Sequence, residues 1–154
     1  MHMSDGLSQK SWKFECFVSA AGWVSSEKLV IASATDLRLF NILTGASEQI
    51  CQLENNNFST RSNDGRADPH GGFWIGTMGL GAEPQAGSIY RFFEGEMVQL
   101  FSNITISNSI CFSPDKKFGY FCDTPERQIM RFSLDQNGWP SSDPEVFIDL
   151  KETN

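Results

Sequence analysis

Residues 61–78 read RSNDGRADPHGGFWIGTM. The stretch opens on Arg61, Asn63 and Asp64 and ends in an apolar run from Phe73 to Met78. Asn63-Asp64-Gly65 and Asp68-Pro69-His70-Gly71-Gly72 carry turn chemistry, because glycine supplies positive φ and proline presets φ at a corner. The run from Phe73 has the aromatic and β-branched content of a strand buried on both faces. The spacing therefore predicts a hairpin whose first strand begins at a polar end, where loop-borne sites are built on a rigid scaffold.

Working outward, the pattern recurs. Residues 27–53, 71–101 and 117–150 each read as a turn, an apolar strand, a polar loop, a second strand and a short third strand. Leu29, Phe73 and Gly119 stand at matching points, a period of about 45 residues. One further strand lies upstream of each unit, from Ala20 to Ser26, Ser62 to Asp68 and Asn108 to Ser113. Four strands at this period are the mark of a propeller blade. Runs such as Leu37 to Ile42 and Ser88 to Phe93 partly alternate polar and apolar residues, and no run shows a capped helical stripe. The fold class is all-β, with blades at about 20–53, 62–102 and 108–150 and an extra N-terminal strand from Trp12 to Val18. Three blades cannot close a ring of their own, and an open arc exposes two apolar blade faces.

The net charge of −7, from 12 basic and 19 acidic residues, argues against nucleic acid or an anionic membrane as partner. No apolar run approaches membrane-spanning length. Met1-His2-Met3 reads as a tag remnant, residues 1–10 as a disordered lead, and the expected location is the cytoplasm. The four cysteines (Cys16, Cys51, Cys111, Cys122) lack metal spacing, sit in apolar strand-like runs and are expected as free thiols. Cys111 and Cys122 flank a turn and are placed to face each other across it. His70 reads as a surface-turn residue, Asp123 as closing a turn with Thr124, and the tryptophans as packing residues.

Together, RSNDGRADPHGGFWIGTM and ISNSICFSPDKKFGYFCDTPERQIMRF (residues 106–132) resemble the senescence marker protein (regucalcin), gluconolactonase and luciferin-regenerating enzyme family. The resemblance runs from about Trp12 to Leu150 and covers the middle half of the family's pattern. It implies a six-bladed propeller, of which this chain is half, with one divalent cation (calcium or zinc) in the channel and hydrolysis of sugar lactones. It implies that Asn108 is a metal-ligating residue and that Arg61 and Asn63 contact substrate, Asn63 also lying close to the metal. The family's Glu after Gly-Thr-Met falls at Gly81, leaving Glu83 nearby as a substitute substrate contact. The family's acidic motif of the first blade has no counterpart here, and its later Asp would lie beyond Asn154.

Two functions follow as expectations. One is a lactonase-like hydrolase whose metal site is incomplete in a single chain and is completed by a second copy or a missing remainder. The alternative is a non-catalytic half-propeller that binds a polar small molecule or a protein. A closed homodimer with weak or no calcium binding is expected, the strand from Trp12 to Val18 reaching across to the partner's last blade.

Overall fold

The computed structural model describes residues 2–4, 9–54 and 56–151. Strands β1 (His2–Ser4) and β2 (Gln9–Ser11) pair as a small antiparallel sheet, within a stretch expected to be a disordered lead. Three four-stranded antiparallel sheets follow. Blade one holds β3 (Val18–Trp23), β4 (Lys28–Ser33), β5 (Asp36–Asn41) and β6 (Ser47–Gln52). Blade two holds β7 (Thr60–Ala67), β8 (Phe73–Gly79), β9 (Gly87–Phe93) and β10 (Glu96–Ile104). Blade three holds β11 (Ser107–Phe112), β12 (Phe118–Asp123), β13 (Gln128–Ser133) and β14 (Glu145–Asp149). Among the described residues the one helical piece is a 3-10 turn, Thr124–Glu126. No helix among them is long and apolar enough to cross a membrane.

Every residue of β8 is buried, as its composition predicts. Its side chains alternate between two cores, since successive strand residues point to opposite faces. Phe73 and Ile75 pack with Val30, Leu37 and Leu53 of blade one. Trp74 packs with Ile110, Phe121 and Phe132 of blade three. Glu54, in the left-handed region at φ 50, ties blade one to blade two. Its carboxylate accepts from Tyr90 Oη at 2.6 Å, from Thr77 Oγ1 at 2.9 Å and from Thr60 Oγ1. Burial, and then the bond to Glu54, push the Tyr90 phenol well above its usual range.

The turn at 68–72 forms as its residues predict. Asp68 Oδ1 accepts the N–H groups of His70 and Gly72 at 2.7 and 2.9 Å, and Gly71 takes φ 91. Asn63-Asp64-Gly65 is not a turn but lies inside β7. Gly65 is there for close approach: a Cβ would sit 2.8 Å from both Trp74 O and Ile75 Cδ1.

The expected strand from Trp12 is not one. Residues 12–17 form no strand, and β3 starts only at Val18. Blade one already has its four strands, so the lead packs on its face instead of joining its edge. Trp12 and Phe14 alternate toward Phe40, with ring centroids 5.5 and 5.3 Å away, and cover Leu29 and Ile31. Cys16 consequently lies in an exposed bend, outside any strand. Cys111 pairs with Tyr120, and Cys122 with Asn108, so a bulge keeps the two thiols from facing each other. All four cysteines are free. Trp74 is core, whereas Trp23 is 61% exposed and packs in none.

Candidate functional site

The three first strands stand side by side. Ser19 Oγ of β3 lies 2.7 Å from Ser62 Oγ of β7, and Asn63 Nδ2 of β7 donates to Ser107 O of β11 at 2.9 Å. Each first strand carries an irregularity in its ladder at a corresponding place. The register slips between Val18 and Ala20, between Ser62 and Gly65, and between Asn108 and Cys111. A bulge bends its strand and re-aims side chains, and such bulges gather beside functional sites.

The second and third bulges bring Arg61, Asn63 and Asn108 together. Arg61 Nη1 donates to Ser62 O at 2.8 Å and to Asn63 Oδ1 at 3.1 Å. Asn63 Nδ2 donates to Asn108 Oδ1 at 3.3 Å, and Asn108 Nδ2 donates to Thr124 Oγ1 at 2.8 Å. Thr124 Oγ1 in turn donates to Ile106 O at 3.3 Å. The result is a one-way relay of hydrogen bonds from guanidinium to backbone carbonyl. Arg61, Asn63 and Asn108 are all half-buried, so their outer edges meet solvent. The Arg61 guanidinium also lies 6.0 Å from the exposed Phe17 ring.

Among the described residues no hydrogen bond links Glu83 to this relay, although it stands beside Gly79, which pairs with Thr60 next to Arg61. Its carboxylate accepts the Gly81 N–H at 3.1 Å, within the loop between β8 and β9. A Cβ at Gly79 would meet Glu83 Oε2 at 2.0 Å, so a glycine at that strand end leaves room for the exposed Glu83 carboxylate. His70, as expected of a surface turn, has its Nε2 3.2 Å from Lys116 O.

Two carboxylates that sequence reasoning did not place here stand beside the cluster, and both are committed to backbone. Asp64 accepts the Ile110 N–H at 2.9 Å. Asp123 accepts the N–H groups of Thr105 and Ile106, both at 2.8 Å, which is a wider role than closing a turn with Thr124. Ser107 was also missed. It is fully buried with an Oγ that has no partner among the described residues, and a Cβ at Gly76 would lie 1.8 Å from it. Gly76 is thus the residue that lets β11 approach β8.

This donor set bears directly on a cation. A hard divalent ion needs several converging oxygen ligands. Here the Asn63 carbonyl oxygen faces a guanidinium, and the Asn108 carbonyl oxygen accepts an amide proton. Among the described residues no group of three or more His, Cys, Asp or Glu could hold a metal. The described residues therefore do not fit a calcium or zinc ion unaided. What they offer outward is a guanidinium and two amides, which suits a polar, acceptor-rich ligand.

Comparison with known proteins agrees with the architecture. The family model for the SMP-30/gluconolactonase/LRE-like region matches residues 2–154. A regucalcin from Agrobacterium tumefaciens, described as a calcium-binding protein, superposes with a TM-score of 0.91 at 42% identity, over 95% of this chain and 50% of that one. A luciferin-regenerating enzyme superposes with a TM-score of 0.87 at 24% identity, over 95% of this chain and 52% of that one, a likeness of fold. An L-arabinolactonase of Azospirillum brasilense is 38% identical over 105 residues, which cover 66% of this chain and 35% of that protein. The chain spans about half or less of the length of such relatives.

Proposed function

Because the chain belongs to the SMP-30/gluconolactonase/LRE-like family, we propose that it carries the substrate-orienting half of a sugar-lactone hydrolase site. The observation that supports this is the convergence of Arg61, Asn63 and Asn108 through the relay of hydrogen bonds across β7 and β11. Among the described residues Arg61 donates hydrogen bonds only through Nη1, which leaves its other guanidinium N–H groups to a lactone carbonyl or a sugar hydroxyl. Asn63 and Asn108 hold its angle, and their amides present further polar edges. Orientation of this kind lowers a barrier by fixing the reactant before any bond changes. Cation ligands and an acid or base come, on this reading, from the body that closes the ring, since the described residues of one copy do not hold a cation unaided.

A second copy of the chain is the closing body we propose. Blade three leaves Phe147 and Ile148 exposed, at 47% and 41%, beside Tyr120. Closure of two half-rings about a two-fold axis buries that face and removes both open ends. β14 already fills the outer place in blade three, and Trp12 and Phe14 lie on their own blade one. The closure therefore needs no exchanged strand, and each partner's lead meets the other's blade three.

The test is hydrolysis of gluconolactone by the purified chain with calcium, zinc, manganese or magnesium in excess, beside its mass by light scattering. The expected result is cation-dependent hydrolysis by a species of twice 17.2 kDa. A dimer inactive with all four cations sinks the hydrolase reading and leaves a polar-ligand binding module. A monomer at micromolar concentration sinks the closure.

A further inference from the structure

Asn108 sits beside a backbone kink that its own strand does not hold. The β11–β12 ladder pairs Asn108 with Cys122 and next pairs Cys111 with Tyr120, so Ser109 and Ile110 lie in the interrupted part. Ser109 takes φ 62, the left-handed region disfavoured for a residue with a Cβ. Within blade three, the tie at Ser109 is a weak one, from Cys122 Sγ of β12 to Ser109 Oγ at 3.7 Å. Ile110 cannot turn its N–H to water, because its side chain is buried in the core with Trp74 and Phe121. A buried N–H with no acceptor is costly.

The acceptor comes from the neighbouring blade. Asp64 Oδ2 takes the Ile110 N–H at 2.9 Å. Asn63, the residue just before it, donates to Ser107 O at 2.9 Å and to Asn108 Oδ1 at 3.3 Å. Two consecutive residues of the β7 bulge thus grip β11 on either side of Ser109. Asp123 anchors the approach to the same strand through the N–H groups of Thr105 and Ile106. With both flanks held by carboxylates and the Asn108 amide bonded to Thr124 Oγ1 at 2.8 Å, the backbone that carries Asn108 depends on the second of them.

We infer that Asp64 is a positioning residue: it holds the left-handed bulge at Ser109 and thereby aims Asn108 at Asn63 and the ligand. Its importance for a ligand rests on the function proposed above; its effect on Asn108 does not. A merely structural acid would loosen the blade interface as a whole. A positioning acid acts on the bulge and on the two amides while the core stays as it was.

The experiment is amide hydrogen exchange and side-chain amide spectra of the 15N-labelled full chain, as Asp64→Ala and Asp64→Asn variants. In Asp64→Ala the Ile110 amide exchanges about tenfold to a hundredfold faster, while the Ile75 and Phe132 amides keep their protection. The side-chain NH2 signals of Asn63 and Asn108 move at the same time. In Asp64→Asn a neutral acceptor replaces a charged one, so Ile110 speeds up by only about threefold. If Asp64→Ala does not fold, that smaller change, confined to Ile110, carries the test. Unchanged Ile110 exchange, unmoved Asn signals, or equal acceleration at Ile75 and Phe132 overturns the inference. None of these readouts uses a lactone or a metal, so absence of hydrolysis would leave them untouched.

Discussion

Arg91→Ala lowers the stability of the chain by about 3–5 kcal/mol, read from urea unfolding followed by tryptophan fluorescence. Both partners of the Arg91–Asp68 pair have side chains 0% exposed, with Nε and Oδ2 2.7 Å apart. Removing the guanidinium leaves a buried carboxylate with only the Trp74 Nε1–H and the N–H groups of His70 and Gly72 to balance it. It also empties an aromatic clamp, since the guanidinium carbon lies 4.6 Å from the Phe93 ring and 4.3 Å from the Trp139 ring. That clamp joins blade two to the β13–β14 connection of blade three. The two faces also compensate Arg91 Nη1 and Nη2, which have no hydrogen-bond partner among the described residues. For a domain of this size the loss lowers the melting temperature by on the order of 10 °C. A loss under about 1 kcal/mol would mean that the pair is held by its neighbours and contributes little itself.

The same pair sets an acid limit. Burial pushes the Asp68 carboxyl up, but the Arg91 bond and the N–H groups of Gly72 and His70 together bring it below the usual carboxylate range. A depressed value stabilises the fold above the unfolded carboxyl's titration near pH ~4 and is lost as pH falls through the folded one. Stability from this source is therefore flat from neutrality down to about pH 5 and declines only below that.

If the proposed closed assembly hydrolyses a sugar lactone, Arg61→Ala is expected to reduce its kcat/KM by about 10- to 100-fold, the range of a lost charge-assisted hydrogen bond. On the proposed reading the guanidinium faces the ligand, and its 3.1 Å bond to Oδ1 orders Asn63. Arg61→Lys restores little of the loss, because an ammonium cannot hold Ser62 O, Asn63 Oδ1 and a ligand from one planar fork. Steady-state kinetics of the three proteins at equal dimer content decide the matter. Parental kcat/KM in Arg61→Ala would remove Arg61 from the site.

Much of the fold was legible because repetition is visible in a sequence. Leu29, Phe73 and Gly119 recur at intervals of about 45 residues, and the run from Phe73 to Met78 buries as its composition demands. Asn63 and Asn108 stand 45 residues apart, one blade period, so their meeting on adjacent first strands follows from the repeat. What could not be read was pairing. Trp12 and Phe14 have the alternation of a strand, yet alternation describes an extended chain and not a ladder partner. Gly65 looks like a turn residue, but its reason is that a Cβ there would sit 2.8 Å from Trp74 O on the adjacent strand β8. The bulges hid the separation of Cys111 from Cys122 and the task of Asp64, because a single inserted residue changes the register without changing the composition.

The most direct test of the proposed site is to titrate a slowly hydrolysing sugar γ-lactone into the 15N-labelled chain with no divalent cation present. Signals of the Arg61 guanidinium and of the Asn63 and Asn108 side-chain amides are followed. The expected result is saturable movement of these three sets of signals while those of His70 stay in place. Movement that begins only after calcium is added, or no movement at any lactone concentration, would contradict a substrate-orienting site built from Arg61, Asn63 and Asn108.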